Sequence, residues 1–399
     1  MTCLLGLLLS ATPSQAAEAL TEDEVIRLAR ARAPASAVAG ATASLADAQA
    51  KTAGRLPNPE LSWAHESLLG GPPNSQDILM ATVPIEFAGP LATRALAESA
   101  RESTKVSTSL MRTDASLDAV LVFYDAVAAA RRVEILEQAL ANLDEAARVL
   151  ARREKAGSAS GYESTRLVIA SELTRSQLAE TRGVERASRA RLAYLLNLDE
   201  RGLVVDANLT LAAVPDKAAI TRAGTTTREA VTHARAAAKA AETARARARW
   251  TWLPTLSLGG GPKFARIPEQ AYGYALGVSL SLPVFNNGQR FRAEARAQRA
   301  LAVTRAEALT RTIAGEIESL YATYETARAE LERFDRATAR DVEGLLTAAQ
   351  SGYTEGERTI VELLDAQRAR TAVAERRLEL LLNAKRAELR VRAAGGMLR

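Results

Sequence analysis

Cysteine occurs once in these 399 residues, at Cys3, so no disulfide framework is available to hold a fold together. Aromatic residues supply only 4% of the chain, whereas a large globular core normally draws its bulk from Phe, Tyr and Trp. The two histidines, His65 and His233, lie in unrelated segments, and no metal centre or cofactor is expected from them. No nucleophile stands beside a base, so the chain does not read as an enzyme. Gly259-Gly260-Gly261 is followed by neither Lys-Ser/Thr nor a helix start, which excludes a phosphate loop. The net charge of +5 comes from basic residues interleaved with acids. That pattern suits solvated helix faces and lacks the aromatic-studded basic stripe of a nucleic-acid partner. Beyond the first residues there is no apolar run of about 18, which excludes a transmembrane helix.

Apolar residues nevertheless make up 47% of the chain, carried mainly by Ala and Leu, with Arg and Glu carrying most of the charge. Such a composition belongs to long helices packed side by side. The start, Met1–Ala16, holds the apolar run Leu4–Leu9 and then Ser14-Gln15-Ala16, the order of a secretory signal. An exported chain without an apolar helix can cross a membrane only with strands.

The chain repeats itself. Val83-Pro84-Ile85-Glu86-Phe87 matches Leu282-Pro283-Val284-Phe285-Asn286 at an offset of 199, and Gly157 with Gly356 and Glu163 with Glu362 keep that offset. A period near half the chain is a tandem duplication. The expected organisation is a signal peptide over 1–16, a first repeat over 17–205, a linker over 206–226 and a second repeat over 227–399. Each repeat runs from a modest helix (Thr21–Gly54 or Thr227–Trp252) through two extended segments to two long helices joined at a Gly-marked turn. Thr21 with Glu24 three residues on is a capping-box signature.

Tyr272, Tyr274, Leu276, Val278, Leu280 and Leu282 alternate with small or polar residues, a strand pattern. Leu79 to Phe87 alternates likewise, Leu61-x-Trp63-x-His65 begins a third segment, and Leu256-x-Leu258 begins a fourth that Gly259-Gly260-Gly261-Pro262 is expected to interrupt. Pro72-Pro73-Asn74 reads as a turn between the first pair. Residues 91–156 contain neither Gly nor Pro, and as one helix they span about 100 Å. Within them Val133, Leu136, Leu140, Leu143, Ala147 and Leu150 step as a heptad seam, and Leu309 to Phe334 keeps nearly the same rhythm. Four strands cannot close a barrel, for which about eight is the practical minimum. Open edges in lipid leave backbone groups unpaired, so other copies of the chain must complete the barrel.

Leu56-Pro57-Asn58-Pro59-Glu60-Leu61, Ser281-Leu282-Pro283-Val284-Phe285 and the run Tyr353 to Ala366 resemble the motifs of TolC-like outer-membrane factors from about Leu20 to Arg392. The first of these and Pro84–Gly89 look more like the heavy-metal efflux branch than the drug branch. The resemblance implies a mainly α fold with a small β part. Long antiparallel helices would form a coiled-coil α-barrel, and four transmembrane strands per chain would build a homotrimeric 12-strand β-barrel in outer-membrane lipid. The implied partners are a periplasmic adaptor and an inner-membrane pump of the RND type. By the same resemblance Glu362 and Asp365 form an acidic ring at the periplasmic constriction, although such a pair alone reads as a solvated helix face. Glu163, Tyr353 and Arg358 form an entrance latch, for which an ordinary surface salt bridge is the competing reading. The turns at Gly157, Ser158, Gly356 and Glu357 are the adaptor-docking tips, where Gly equally serves as a helix C-cap. A periplasmic coiled-coil adaptor or spacer is the alternative function; it explains the heptads but not the repeated strands.

Overall fold

The computed structural model describes residues 20–69, 74–86, 88–155, 160–199, 203, 205, 208–267, 269–338 and 342–398. The expected signal peptide with Cys3, the turn residues Pro72 and Pro73, and the tip residues Gly157 and Ser158 lie outside them. The elements follow in the order α1 (Glu22–Arg32), α2 (Pro34–Thr52), β1 (Glu60–Ser67), β2 (Ser75–Ile85), α3 (Ala88–Lys155) and α4 (Gly161–Leu196). Then come α5 (Lys217–Thr226), α6 (Glu229–Ala248), β3 (Thr255–Ile267), β4 (Glu269–Ser281), α7 (Gln289–Thr338), α8 (Val342–Glu355) and α9 (Ile360–Ala394). Two compact units arise, each drawing on both halves of the sequence. One comprises Met1–Ala37, Arg112–Thr221 and Gly315–Arg399; the other comprises Val38–Met111 and Arg222–Ala314.

Three expectations are corrected. The stretch Thr21–Gly54 is two helices, because a residue before proline is pushed out of the α region. Ala33 is extended at ψ 141°, and Pro34 opens α2, where its missing N–H has no intrahelical partner to lose. The α3 seam is displaced as well: Leu136, Ala139, Leu143, Ala146 and Leu150 are buried, Val133 and Leu140 are half-buried, and Ala147 is exposed. The third correction falls on β3, which runs unbroken through Gly259-Gly260-Gly261-Pro262. Gly261 is required there, since a Cβ at this position would lie 1.9 Å from the Leu79 carbonyl oxygen.

Other readings hold. Thr21 caps α1, its hydroxyl accepting from the Glu24 N–H at 3.3 Å. The helix α3 runs 68 residues, with Gly89 and Pro90 confined to its first turn, where proline is tolerated. On α7, Ile313, Ile317, Tyr324 and Leu331 are buried along the expected seam, with Leu309, Leu320, Ala327 and Phe334 half-buried beside them.

In the first unit, Val25, Ile26 and Ala29 of α1 join Val120 and Phe123 of α3, Leu192 and Leu196 of α4 and Leu389 of α9 in one core. A second core gathers both helix turns of this unit: Leu143 and Leu150 from α3, Leu167 from α4, Leu346 and Tyr353 from α8, and Ile360 and Leu364 from α9. In the second unit the helices meet mainly on alanines, Ala95, Ala244, Ala248 and Ala295, with Leu96 among them. The same unit holds one antiparallel sheet in the order β1-β2-β3-β4. Among the described residues β1 pairs only with β2 and β4 only with β3, so both outer edges are open.

Candidate functional site

The sheet is two-faced, and its register shows how. Leu256, Leu258 and Phe264 of β3 stand opposite Leu280, Val278 and Tyr272 of β4. Ile85 and Val83 of β2 continue that row, and Leu79 and Ala81 stand opposite Trp63 and Leu61 of β1. Because alternate residues share a face, these side chains form one apolar surface. It is open to the surroundings: Tyr272, Tyr274, Leu276 and Val278 are each at least 74% exposed. The other face carries Ser62, Thr82, Ser257, Gly277 and Ser279. A soluble sheet would bury its apolar face; this one presents it.

The apolar face is banded. Toward the β1–β2 and β3–β4 connections it ends in aromatics, with Phe264 and Tyr272 edge to face at 5.8 Å. Trp63 lies nearby, donating its indole N–H to Asp77 at 3.1 Å, while His65 Nδ1 is 2.8 Å from the same carboxylate. Toward the helices it ends at Leu282, beyond which Trp250 and Trp252 are also exposed. From Tyr272 to Leu282 the strand covers about 33 Å, and a tilt of about 40° lowers this to the ~25 Å apolar band of an outer-membrane barrel.

The helix turns of the first unit form the second candidate region. Gly356 ends α8 at φ +84°, a conformation that costs glycine little. Around it the N–H groups of Glu357 and Arg358 both return to the Gly352 carbonyl, at 2.8 and 3.0 Å. Thr359 then caps α9, and Glu362 completes a capping box, its carboxylate accepting from the Thr359 N–H at 2.8 Å and from the hydroxyl at 2.9 Å. These bonds, with the Arg358 charge, hold the Glu362 carboxyl below the usual carboxylate range. Asp365 lies one turn on, 65% exposed, with the Arg368 guanidinium 3.7 Å away.

Ser160 and Glu163 form the matching box at the start of α4. Glu163 and Arg358 make no ion pair within the chain among the described residues; the Arg358 stem instead lies across Gly352, where a Cβ would be 2.8 Å from its Cγ. Tyr353 is buried under the turn, its hydroxyl without a hydrogen-bond partner among the described residues. The Arg153 guanidinium sits 4.9 Å from the ring centre and donates to the Tyr353 carbonyl at 3.2 Å. Burial, and then the Glu163 charge, push the phenol above its usual range against Arg153. Glu357 and Gly356 are exposed at the tip. Sequence reasoning missed Arg153, Arg368 and Gly352, none of which carries a local signature.

Residues 225–397 match the outer membrane efflux protein family. A comparison with curated protein sequences gives no match. Among solved structures the chain is similar to CusC, with 19% identity, coverage of 94% of this chain and 92% of that one, and a TM-score of 0.67. It is similar to the outer membrane protein VceC of Vibrio cholerae, at 18% identity, 94% and 96% coverage and a TM-score of 0.68. The CmeC outer membrane channel of Campylobacter jejuni matches at 16% identity, 94% and 85% coverage and a TM-score of 0.69. Residues 225–397 are therefore similar to outer membrane efflux protein domains, and the chain along nearly its whole length carries the fold of these solved outer-membrane proteins.

Proposed function

We propose that the chain is one protomer of a trimeric exit duct in the bacterial outer membrane, a passive channel extending into the periplasm. One observation carries the reading: a four-stranded sheet with two open edges exposes an apolar face on one side and a small, polar face on the other. In lipid, both edges need strands from further copies; three copies give the twelve-strand barrel that the family resemblance implies. The polar face then lines a hydrated lumen, and the aromatics at the ends of the apolar band sit at the two interfaces.

The finer assignments belong to the same reading. Glu362 and Asp365 repeat threefold as an acidic ring at the periplasmic mouth. Arg358, which makes no ion pair among the described residues of its own chain, pairs with Glu163 of a neighbouring copy and holds that mouth shut, while buried Tyr353 fixes the turn beneath it. The tips around Gly157, Ser158, Gly356 and Glu357 receive a periplasmic adaptor, which joins the duct to an inner-membrane pump of the RND type. Metal ions are the cargo to test first, given the heavy-metal character of Pro57–Leu61 and Pro84–Gly89.

Reconstitution in planar bilayers tests the duct. An oligomer purified from outer membranes is expected to give channels of low conductance, and Arg358→Ser is expected to raise that conductance with the oligomer intact. Absence of channels from the assembled protein contradicts the duct. Unchanged conductance in Arg358→Ser contradicts the latch alone.

A further inference from the structure

We propose that the depression where the sheet meets its helices binds the headgroup of an anionic phospholipid from the membrane leaflet on the helix side. The inference rests on reading the apolar sheet face as lipid-facing. That face does not stop with the strands. Past the last pair, Thr255 with Ser281, the alternation of β4 continues into Leu282 and Val284, 64% and 71% exposed, and Phe285 is 93% exposed. On the neighbouring segment Trp252 keeps the parity of Leu256 and is 52% exposed.

Here the surface changes from purely apolar to apolar and basic. Arg249, Trp252, Leu282, Val284 and Arg292 line one open depression, and no acidic side chain lines it. Arg249 caps α6 at its C-terminus and is exposed, with no carboxylate partner among the described residues. Arg292 is held in place by Asn287, donating to its carbonyl at 2.6 Å and to its side-chain oxygen at 2.8 Å, so both bonds leave its charge uncompensated. Two cations without a counter-charge among the described residues call for an anion. An indole at the rim suits the boundary between headgroup and acyl chain. A soluble phosphate would satisfy the arginines and leave Leu282, Val284 and Phe285 in water. A phospholipid with a net negative head satisfies both parts, its phosphate on the arginines and its chains along the band.

The test uses the whole assembled protein in lipid nanodiscs, carrying Trp63→Phe and Trp250→Phe so that Trp252 is the one indole left of three. Tryptophan emission is followed as brominated phosphatidylglycerol or brominated phosphatidylcholine replaces the unlabelled lipid. The glycerol lipid is expected to quench Trp252 at lower mole fraction, with a preference of about fivefold per engaged arginine. Arg249→Gln should reduce that preference while quenching by the choline lipid persists, and Arg249→Gln with Arg292→Gln should abolish it. Equal quenching by the two lipids overturns the site and leaves the lipid-facing sheet standing; quenching by neither overturns both. A preference that survives both substitutions, or that inorganic phosphate removes by competition, also overturns the proposal.

Discussion

Glu362 caps α9, and under the proposed function it would also carry charge in the acidic ring. The bonds from Thr359 lower the pH at which it protonates in the single chain, which opposes the upward push that crowded like charges would exert in a ring. Gln completes a capping box as Glu does, so Glu362→Gln with Asp365→Asn removes the charge and spares the helix start. In the assembled channel this double change should abolish block by a trivalent cation from the periplasmic side and lower cation selectivity, with assembly unaltered. Block at the wild-type concentration contradicts the ring. The buried network in the first unit makes a stability prediction. Lys385 and Glu388 are 2% and 0% exposed, 2.9 Å apart; Glu388 also accepts from the Ala212 N–H at 2.9 Å, and Lys385 lies 3.2 Å from Glu22. Arg392 bonds both acids, and Tyr124 donates to Glu22 at 2.7 Å. Glu388→Gln leaves the buried Lys385 ammonium with Glu22 alone and should cost up to about 3–5 kcal/mol, the range for a buried pair broken outright, read by guanidinium unfolding. Burial raises the Glu22 carboxyl, but Tyr124, Lys385 and Arg392 outweigh it and hold the group below its ordinary 4.5. Its contribution is thus complete above pH 4.5 and is lost as pH falls through the lower folded value. The stability deficit of Glu22→Gln at pH 7 should accordingly shrink in that acid window. Thr21 with Glu24 was legible in the sequence as a capping signature, whereas the acids of Ser160-x-x-Glu163 and Thr359-x-x-Glu362, which share that spacing one repeat apart, were read there only as latch and ring residues and form their boxes in the structure. The Lys385 network was not legible: a buried i,i+3 pair reads the same as a solvated one when its partner, Glu22, comes from the far end of the chain.

Elements were legible where one period dominates and illegible where a single contact decides. Alternation from Tyr272 to Leu282 is strict, and β4 follows it. Residues 91–156 lack breakers, and α3 runs through them. The glycines of β3 read as an interruption because a glycine run weakens a strand and has no side chains to pack; the structure uses Gly261 where β2 backbone comes too close for any side chain. The α3 seam kept Leu136, Leu143 and Leu150 but took Ala139 and Ala146 in place of Leu140 and Ala147, since close helix packing there favours small side chains over the larger hydrophobic one. Facing in the sheet makes the prediction at this scale. Leu276 lies on the apolar face opposite Gly260, and Ser279 on the polar face opposite Ser257. A charge at the bilayer midplane of a lipid face costs about 2–4 kcal/mol. Leu276→Arg should therefore cut the yield of outer-membrane oligomer on unheated gels, while Ser279→Arg assembles. Equal yields reverse the assigned faces.

For the whole molecule, the sequence made closure by other copies a necessity and left the number of copies to the resemblance, since no single chain contains its own neighbour. The same limit bears on the proposed latch: Glu163 and Arg358 were expected to meet, and among the described residues of one chain they make no ion pair. The central claim, that three copies close one barrel edge to edge, is tested most directly by joining β1 of one copy to β4 of the next. Within one sheet these strands are three spacings apart, about 14 Å, beyond the ~7 Å that a disulfide spans between Cα atoms. With Cys3, the one cysteine of the sequence, replaced by Ser, the chain offers no competing thiol. Ser62→Cys is combined in turn with cysteine at Gly273, Ala275, Gly277 and Ser279, and outer membranes are oxidised and run on non-reducing denaturing gels. At one register the account predicts covalent dimers and trimers, with nothing larger. Monomer alone across the whole series, or a ladder continuing past the trimer, contradicts it.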